Sequence, residues 1–198
     1  MRYCKIILST ILLLVVLTAP VMACTGKTVT IARTGDLQQE ILAQMLVILI
    51  DARTGTTVEE KVYPSAEEAH AAVVGHEADL GIEYTGVIRV KTLKKGIIAD
   101  PAELYTAVKE EYDQELNLLT MPPLGFNNRE LAPEGSVAQG VIILRKDTWT
   151  KFPALDKLIT KLSGKINDAA MQKLEERAAN EEIREVVRDF LRANRLLF

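Results

Sequence analysis

The sequence predicts an α/β protein, a mostly parallel sheet with helices on both faces. Three observations carry this. β-rich and helical patterns alternate as β-α-β-α-β between about residues 28 and 83. Short connections leave room only for crossover helices, which pack on the sheet faces. The composition, 48% apolar and 26% charged over 198 residues, suits one sizeable core and excludes a disordered, collagen-like or disulfide-dense chain.

The first strand is expected at about 28–33, where Val29 and Ile31 alternate with polar residues. A helix over Asp36–Asp51 follows. Asp36 caps it, with Gln39 as capping-box partner, and Ile41, Leu42, Met45, Leu46, Leu49 and Ile50 form a broad buried face that ends near Gly55. A second strand is read at 57–62. Ser65 and Glu68 make a capping box for a helix over Ser65–Val74, which Gly75 ends. The third strand lies at 78–83. Asp100, Pro101 and Glu103 open a helix over Pro101–Leu116. Leu116–Thr120 and Val137–Leu144 read as further strands. The Pro-, Gly- and Asn-rich stretch between them is loop. Helices are expected over Ala154–Leu162, Asp168–Ala179 and Glu181–Asn194.

Residues 1–23 read as an export signal. Arg2 and Lys5 precede an apolar core from Ile6 to Thr18, which is too short for a comfortable membrane span, and Val21 and Ala23 are small residues at the cleavage positions. Cys24 follows directly. The arrangement resembles a bacterial lipobox, so lipidation of Cys24 is expected, with simple cleavage after Ala23 as the alternative. Either way, residues 24–198 would form a single domain working outside the cytoplasm, periplasmic or on the outer face of the cytoplasmic membrane. Cys4 leaves with the signal, so no internal disulfide is expected.

A net charge of −3 offers no basic surface for nucleic acid. His70 and His76 lack companions at metal-ligand spacing, so no metal is expected. Nucleophile elbows, P-loops and dinucleotide fingerprints are absent, so neither a cofactor nor an enzyme is indicated. Asp79 and Glu83 read as a solvated strand terminus, and the run from Glu175 to Glu185 as the wet side of the last helices. Two places at strand carboxyl ends, where open parallel sheets bind ligands, stand out. Arg33-Thr34-Gly35-Asp36 offers a helix start and a cation to an anionic group, or is an ordinary turn. Glu83-Tyr84-Thr85-Gly86 offers a Tyr face to a cation, or holds a packed Tyr bonded to a loop.

The same places carry a family likeness. Residues 31–45 (IARTGDLQQEILAQM), His70 with Glu77-Ala78-Asp79 and Glu83-Tyr84-Thr85-Gly86, the hinge-like Gly125-Phe126-Asn127-Asn128, and Leu162-Ser163-Gly164-Lys165-Ile166-Asn167-Asp168 with Met171 occur in order. They resemble segments of the substrate-binding proteins of glycine betaine, choline and proline betaine ABC transporters. That resemblance implies one lobe of a type II periplasmic-binding-protein fold, an ABC permease partner, osmoprotective uptake and a small quaternary-amine ligand. Strands one and three should be neighbours, so their carboxyl-end turns converge with the hinge-like Asn127, and the ligand is expected to touch Arg33, Thr34, Gly35, Tyr84, Thr85 and Asn127.

Departures from the pattern accompany it. Family members have two lobes, yet only the loop 129–139 separates the Asn-Asn signature from the return strand, and eleven residues cannot build a lobe. The second lobe would therefore be replaced by that loop, expected to be exposed and to cover nothing. Thr34 stands at the family's Lys, Gln38 at its Glu, Gly81-Ile82 at its aromatic-Pro pair, and Glu130 near its Tyr. Among expected ligand positions Tyr84 alone keeps its type. One aromatic face contributes about 0.5–2 kcal/mol, against an association cost of about 4 kcal/mol or more. A covering partner, a homodimer for instance, is then expected. The alternative is a single-lobe interaction or sensor module that no longer captures solute.

Overall fold

The computed structural model describes residues 28–197, so the export signal and Cys24 lie outside the described residues. Five strands form one sheet: β1 Thr28–Arg33, β2 Thr57–Val62, β3 Leu80–Tyr84, β4 Leu118–Thr120 and β5 Gly140–Arg145, in the order β2-β1-β3-β5-β4. The α-helices are α1 Leu37–Thr54, α2 Ala66–Val74, α3 Pro101–Glu115, α4 Lys146–Lys151, α5 Leu155–Thr160, α6 Asp168–Ala178 and α7 Ile183–Ala193. A short turn of helix, Thr85–Val87, runs into a π-helical turn at Ile88–Thr92.

β1 pairs in parallel with β2, from Thr28↔Thr57 to Arg33↔Val62, and with β3. β5 runs antiparallel to both β3 and β4. The sheet is therefore mostly parallel with one reversed strand. After β4 the chain stays at the same rim and re-enters the sheet there, without the crossover a parallel return requires.

Strand alternation divides the core into two layers. Val29, Ile31, Leu80, Ile82, Ile142 and Leu144 face α1, α5, α6 and α7. Ala32, Val141 and Ile143 face α2 and α3 through Ala69, Val73, Val108 and Tyr112. α1 is buried nearly all round because the C-terminal helices cover the side turned away from the sheet.

The caps differ from expectation in one detail. Ser65 Oγ accepts from Glu68 N at 3.1 Å and donates to Glu68 Oε1 at 3.3 Å, so the two residues meet as expected. Gln39 does not do so for Asp36; its Oε1 reaches back to accept from Thr34 N at 2.7 Å, bracing the β1–α1 turn.

The 129–139 loop is only partly as expected. Arg129–Leu131 are exposed. Its second half packs: Ser136 Oγ donates to Ile98 O at 2.9 Å, Ala138 is buried, and a Cβ on Gly86 would sit 2.2 Å from Val137 O. This half covers the turn after β3. The reason is backbone pairing, Asn128 N donating to Ala138 O at 2.9 Å and Asn127 bridging Gln139.

Candidate functional site

Three segments meet at the carboxyl end of β1 and β3. The N-terminus of α1 supplies Asp36 and Gln38, the stretch before β5 supplies Phe126 and Asn127, and α6 supplies Asp168 and Glu175. They line a cavity of about 280 Å³. The α6 wall exists because Asp168, Met171, Gln172 and Glu175 follow helical spacing and share one face. Asn167 caps α6 by accepting from Ala170 N at 2.9 Å.

The cavity is acidic. Asp36 caps α1 through Oδ1, which accepts from Gln38 N, and its Oδ2 accepts from the Tyr84 hydroxyl at 2.5 Å. Gln38 Nε2 donates to Glu175 Oε1 at 2.9 Å, and Asn127 N donates to Asp168 Oδ1 at 2.8 Å. Arg129 is the cation at the mouth, 3.7 Å from Asp168 and almost wholly exposed. Asn127 Oδ1 and the neighbouring Gln139 Oε1 are buried acceptors without a donor among the described residues.

The six residues expected to meet ligand are distributed unevenly around this cavity. Asn127 lines it. Thr34 is half-buried and Gly35 exposed on the adjoining turn. Arg33 points elsewhere: it is buried, its Nε donates to Glu60 Oε2 at 2.7 Å, and Gln44 Nε2 holds the other oxygen of Glu60. Alternation explains this, since Arg33 follows Val29 and Ile31 onto the α1 face. Thr85 is fully buried and pinned to Gln139 through its backbone N–H and its hydroxyl. Tyr84 takes the packed form of the two foreseen. Its ring is 2% exposed and stands edge-on to Phe126 at 6.4 Å. Burial, then the Asp36 carboxylate, push its ionisation far above the ordinary value, so the hydroxyl remains a donor. With Asp36 already on the α1 N-terminus, that helix start does not invite a further anion.

Asp168 and Glu175 are not foreseen as site residues, and Asp36 is foreseen only as part of the 33–36 turn, for an anion. Asp36 reads as a cap and Glu175 as part of a wet charged run, and only the packing of α6 against α1 brings them together. Asp79 and Glu83 are likewise not a solvated terminus. Asp79 accepts from Thr30 N at 2.9 Å and from Thr148 Oγ1 at 2.7 Å. Glu83 is buried behind the sheet, accepting from Tyr112 OH at 2.7 Å and lying 3.1 Å from His70 Nδ1.

A three-layer lobe with a polar cavity at the strand carboxyl rim has the architecture of the periplasmic-binding-protein fold, with the cavity where such sheets take ligands. Solved structures share this fold. A glycine betaine/carnitine/choline ABC transporter aligns with a TM-score of 0.76 at 16% identity, over 87% of this chain and 99% of that one. Apo YehZ from Escherichia coli aligns at 0.74 with 11% identity, over the same shares. A family model for the substrate binding domain of ABC-type glycine betaine transport systems matches residues 27–132, just over half of the chain. The chain belongs to that family, whose members bind solutes for ABC transport and are not enzymes. The ergothioneine transport permease/ergothioneine binding protein EgtU of Helicobacter pylori (strain G27) is 39% identical over 59 residues, 30% of this chain. The chain spans about a tenth of that relative's length. Among the described residues no helix is long and apolar enough to cross a membrane.

Proposed function

We propose that this lobe presents a small organic cation of the quaternary-amine class to an ABC permease outside the cytoplasm, lipid-anchored at Cys24, with loop 129–139 standing where the family's second lobe would emerge. The observation that carries this reading is the set of four carboxylates, Asp36, Glu130, Asp168 and Glu175, around one cavity whose lining has a single cation among the described residues, Arg129. A cluster of carboxylates suits a cation that needs no donated hydrogen bonds. A ligand carboxylate has poorer support, because Arg33 is spent on Glu60 and Arg129 stands in solvent.

The ligand site is reduced. Phe126 is 1% exposed, so the described residues of the cavity offer a cation no open aromatic face, and several such faces at about 0.5–2 kcal/mol each are needed to meet an association cost of about 4 kcal/mol or more. The isolated lobe therefore binds weakly, and a covering partner, a second copy or the permease, completes the pocket. Calorimetry with choline, glycine betaine, carnitine and ergothioneine, repeated across protein concentrations, tests this. The expected result is weak binding that strengthens with protein concentration, favours choline, and is lost in Asp168→Asn/Glu175→Gln. Tight binding by the dilute monomer, unchanged in that variant, overturns the site. The packed Tyr84 ring and internally bonded Arg33 favour one second reading, a sensor or interaction lobe without solute capture. No heat with any of the four ligands at any concentration selects it.

A further inference from the structure

At the other end of the sheet, α1, α7 and the start of β2 enclose a groove of about 590 Å³. Val47, Val58 and Leu197 give it apolar walls, and Arg184, Arg188 and Arg192 stand along one lip. The three arginines recur every fourth residue and so share one face of α7. Arg184 and Arg192 are exposed and make no ion pair among the described residues, while Arg188 meets Glu185 at 2.9 Å. Asp51 is the acid lining the groove; Asp189, also on α7, is held by Arg177 at 2.9 Å. Positive charge is thus in excess here on a chain whose net charge is −3.

The position of the groove bears on its occupant. Thr57, on its wall, pairs with Thr28 at the start of β1, whereas the acidic cavity lies beyond the end of β1. Cys24 precedes Thr28 by four residues, which reach at most about 14 Å when extended. A lipid on Cys24 would hold this end of the sheet against the bilayer.

We propose that the arginine lip of α7 docks on anionic phospholipid headgroups and sets the orientation of the lobe on the membrane. Guanidinium groups match phosphate bidentately. Each arginine near an anionic surface contributes about fivefold in partitioning, so three give on the order of a hundredfold. That is weak as a sole attachment and sufficient to orient a tethered domain. The inference rests on the proposed anchor at Cys24.

The test uses the full chain expressed in bacteria and reconstituted on vesicles of phosphatidylcholine with or without phosphatidylglycerol. Arginine modification by phenylglyoxal is followed by mass spectrometry. Arg184, Arg188 and Arg192 are expected to react severalfold more slowly on the anionic vesicles, with Arg129 at the far end reacting equally on both. Equal rates on the two vesicle types overturn the proposal. A second arm uses Cys24→Ser, which takes no lipid. Adding Arg184→Gln/Arg188→Gln/Arg192→Gln to it is expected to cut co-sedimentation with anionic vesicles tenfold or more, and Lys91→Gln to change nothing; no loss in the triple variant overturns the proposal. Displacement by inorganic phosphate that ignores vesicle composition assigns the groove to a soluble anion and overturns it too. The mass of the Cys24 peptide separates the two ideas. Unmodified Cys24 with protected arginines removes the anchor alone, and lipidated Cys24 with unprotected arginines removes the docking surface alone.

Discussion

Tyr84 and His70 show how a residue's neighbours decide its task. Tyr84 sits between two layers of function, its ring in the core and its hydroxyl on the carboxylate that caps α1. Tyr84→Phe removes a charge-assisted bond and leaves Asp36 with one partner fewer, so a loss of about 2 kcal/mol is expected. Urea unfolding should show a lower midpoint with an unchanged slope. On the opposite sheet face, burial pulls the His70 pKa down, but the hydrogen bond and charge of Glu83 outweigh it and leave the value raised above 6.5. A raised value means that the His70–Glu83 contribution is complete below pH 6.5 and fades as pH climbs through the folded-state value. Thermal midpoints measured across neutral pH should therefore decline on the alkaline side, and His70→Gln should flatten that decline. A decline of equal size in His70→Gln would assign the effect to another group. The candidate site was only half legible at this scale. Asn127 and the general rim follow from the sequence, but a carboxylate's role depends on what it faces, and Asp36 and Glu175 are brought together by helices far apart in the chain.

Elements with a local start signal were read closely. The caps expected at Asp36, Ser65 and Asp100 are all made by side chains accepting from backbone N–H groups within three residues. Such signals need no knowledge of the fold. The reversed direction of β5 had none, because its neighbours are fixed by pairing with β3 and β4 across the sheet. The helical turns after β3 were also hidden. Thr85 to Thr92 contains Val87, Ile88 and Val90, residues that favour strands in isolation, and burial against α2 and α3 overrides that preference. Gly86 is the fixed point of this region. Gly86→Ala would put a Cβ 2.2 Å from Val137 O and 3.1 Å from Pro133 Cδ. Backbone cannot yield as a side-chain tip can, so a loss at the upper end of about 1–3 kcal/mol is expected by denaturant titration. A variant as stable as the parent would show that the 133–138 strap is not held against the turn.

For the whole molecule, unequal burial along loop 129–139 predicts where it opens first. Arg129 is 85% exposed at its side chain, whereas Ala138 is fully buried. Brief trypsin digestion of the native protein should cut after Arg129 before any helix, giving two fragments that stay associated through the β3–β5 pairing. Early cleavage within α1 or α7 instead would contradict the packing described for those helices.

Bonds between Asn128 and Ala138, Asn127 and Gln139, and Phe126 and Gly140 close the loop at its base before the chain reaches its tip. The sheet therefore does not register how much polypeptide lies beyond that seam. Loop-closure entropy grows only logarithmically with length, roughly 0.6 kcal/mol for each doubling. A folded module whose ends lie close together could be grafted between Glu130 and Glu134, and the acidic cavity, the caps and the strand pairing would all be preserved. The seam makes this lobe a socket, in which gaining or shedding a neighbouring body is a local edit of the chain.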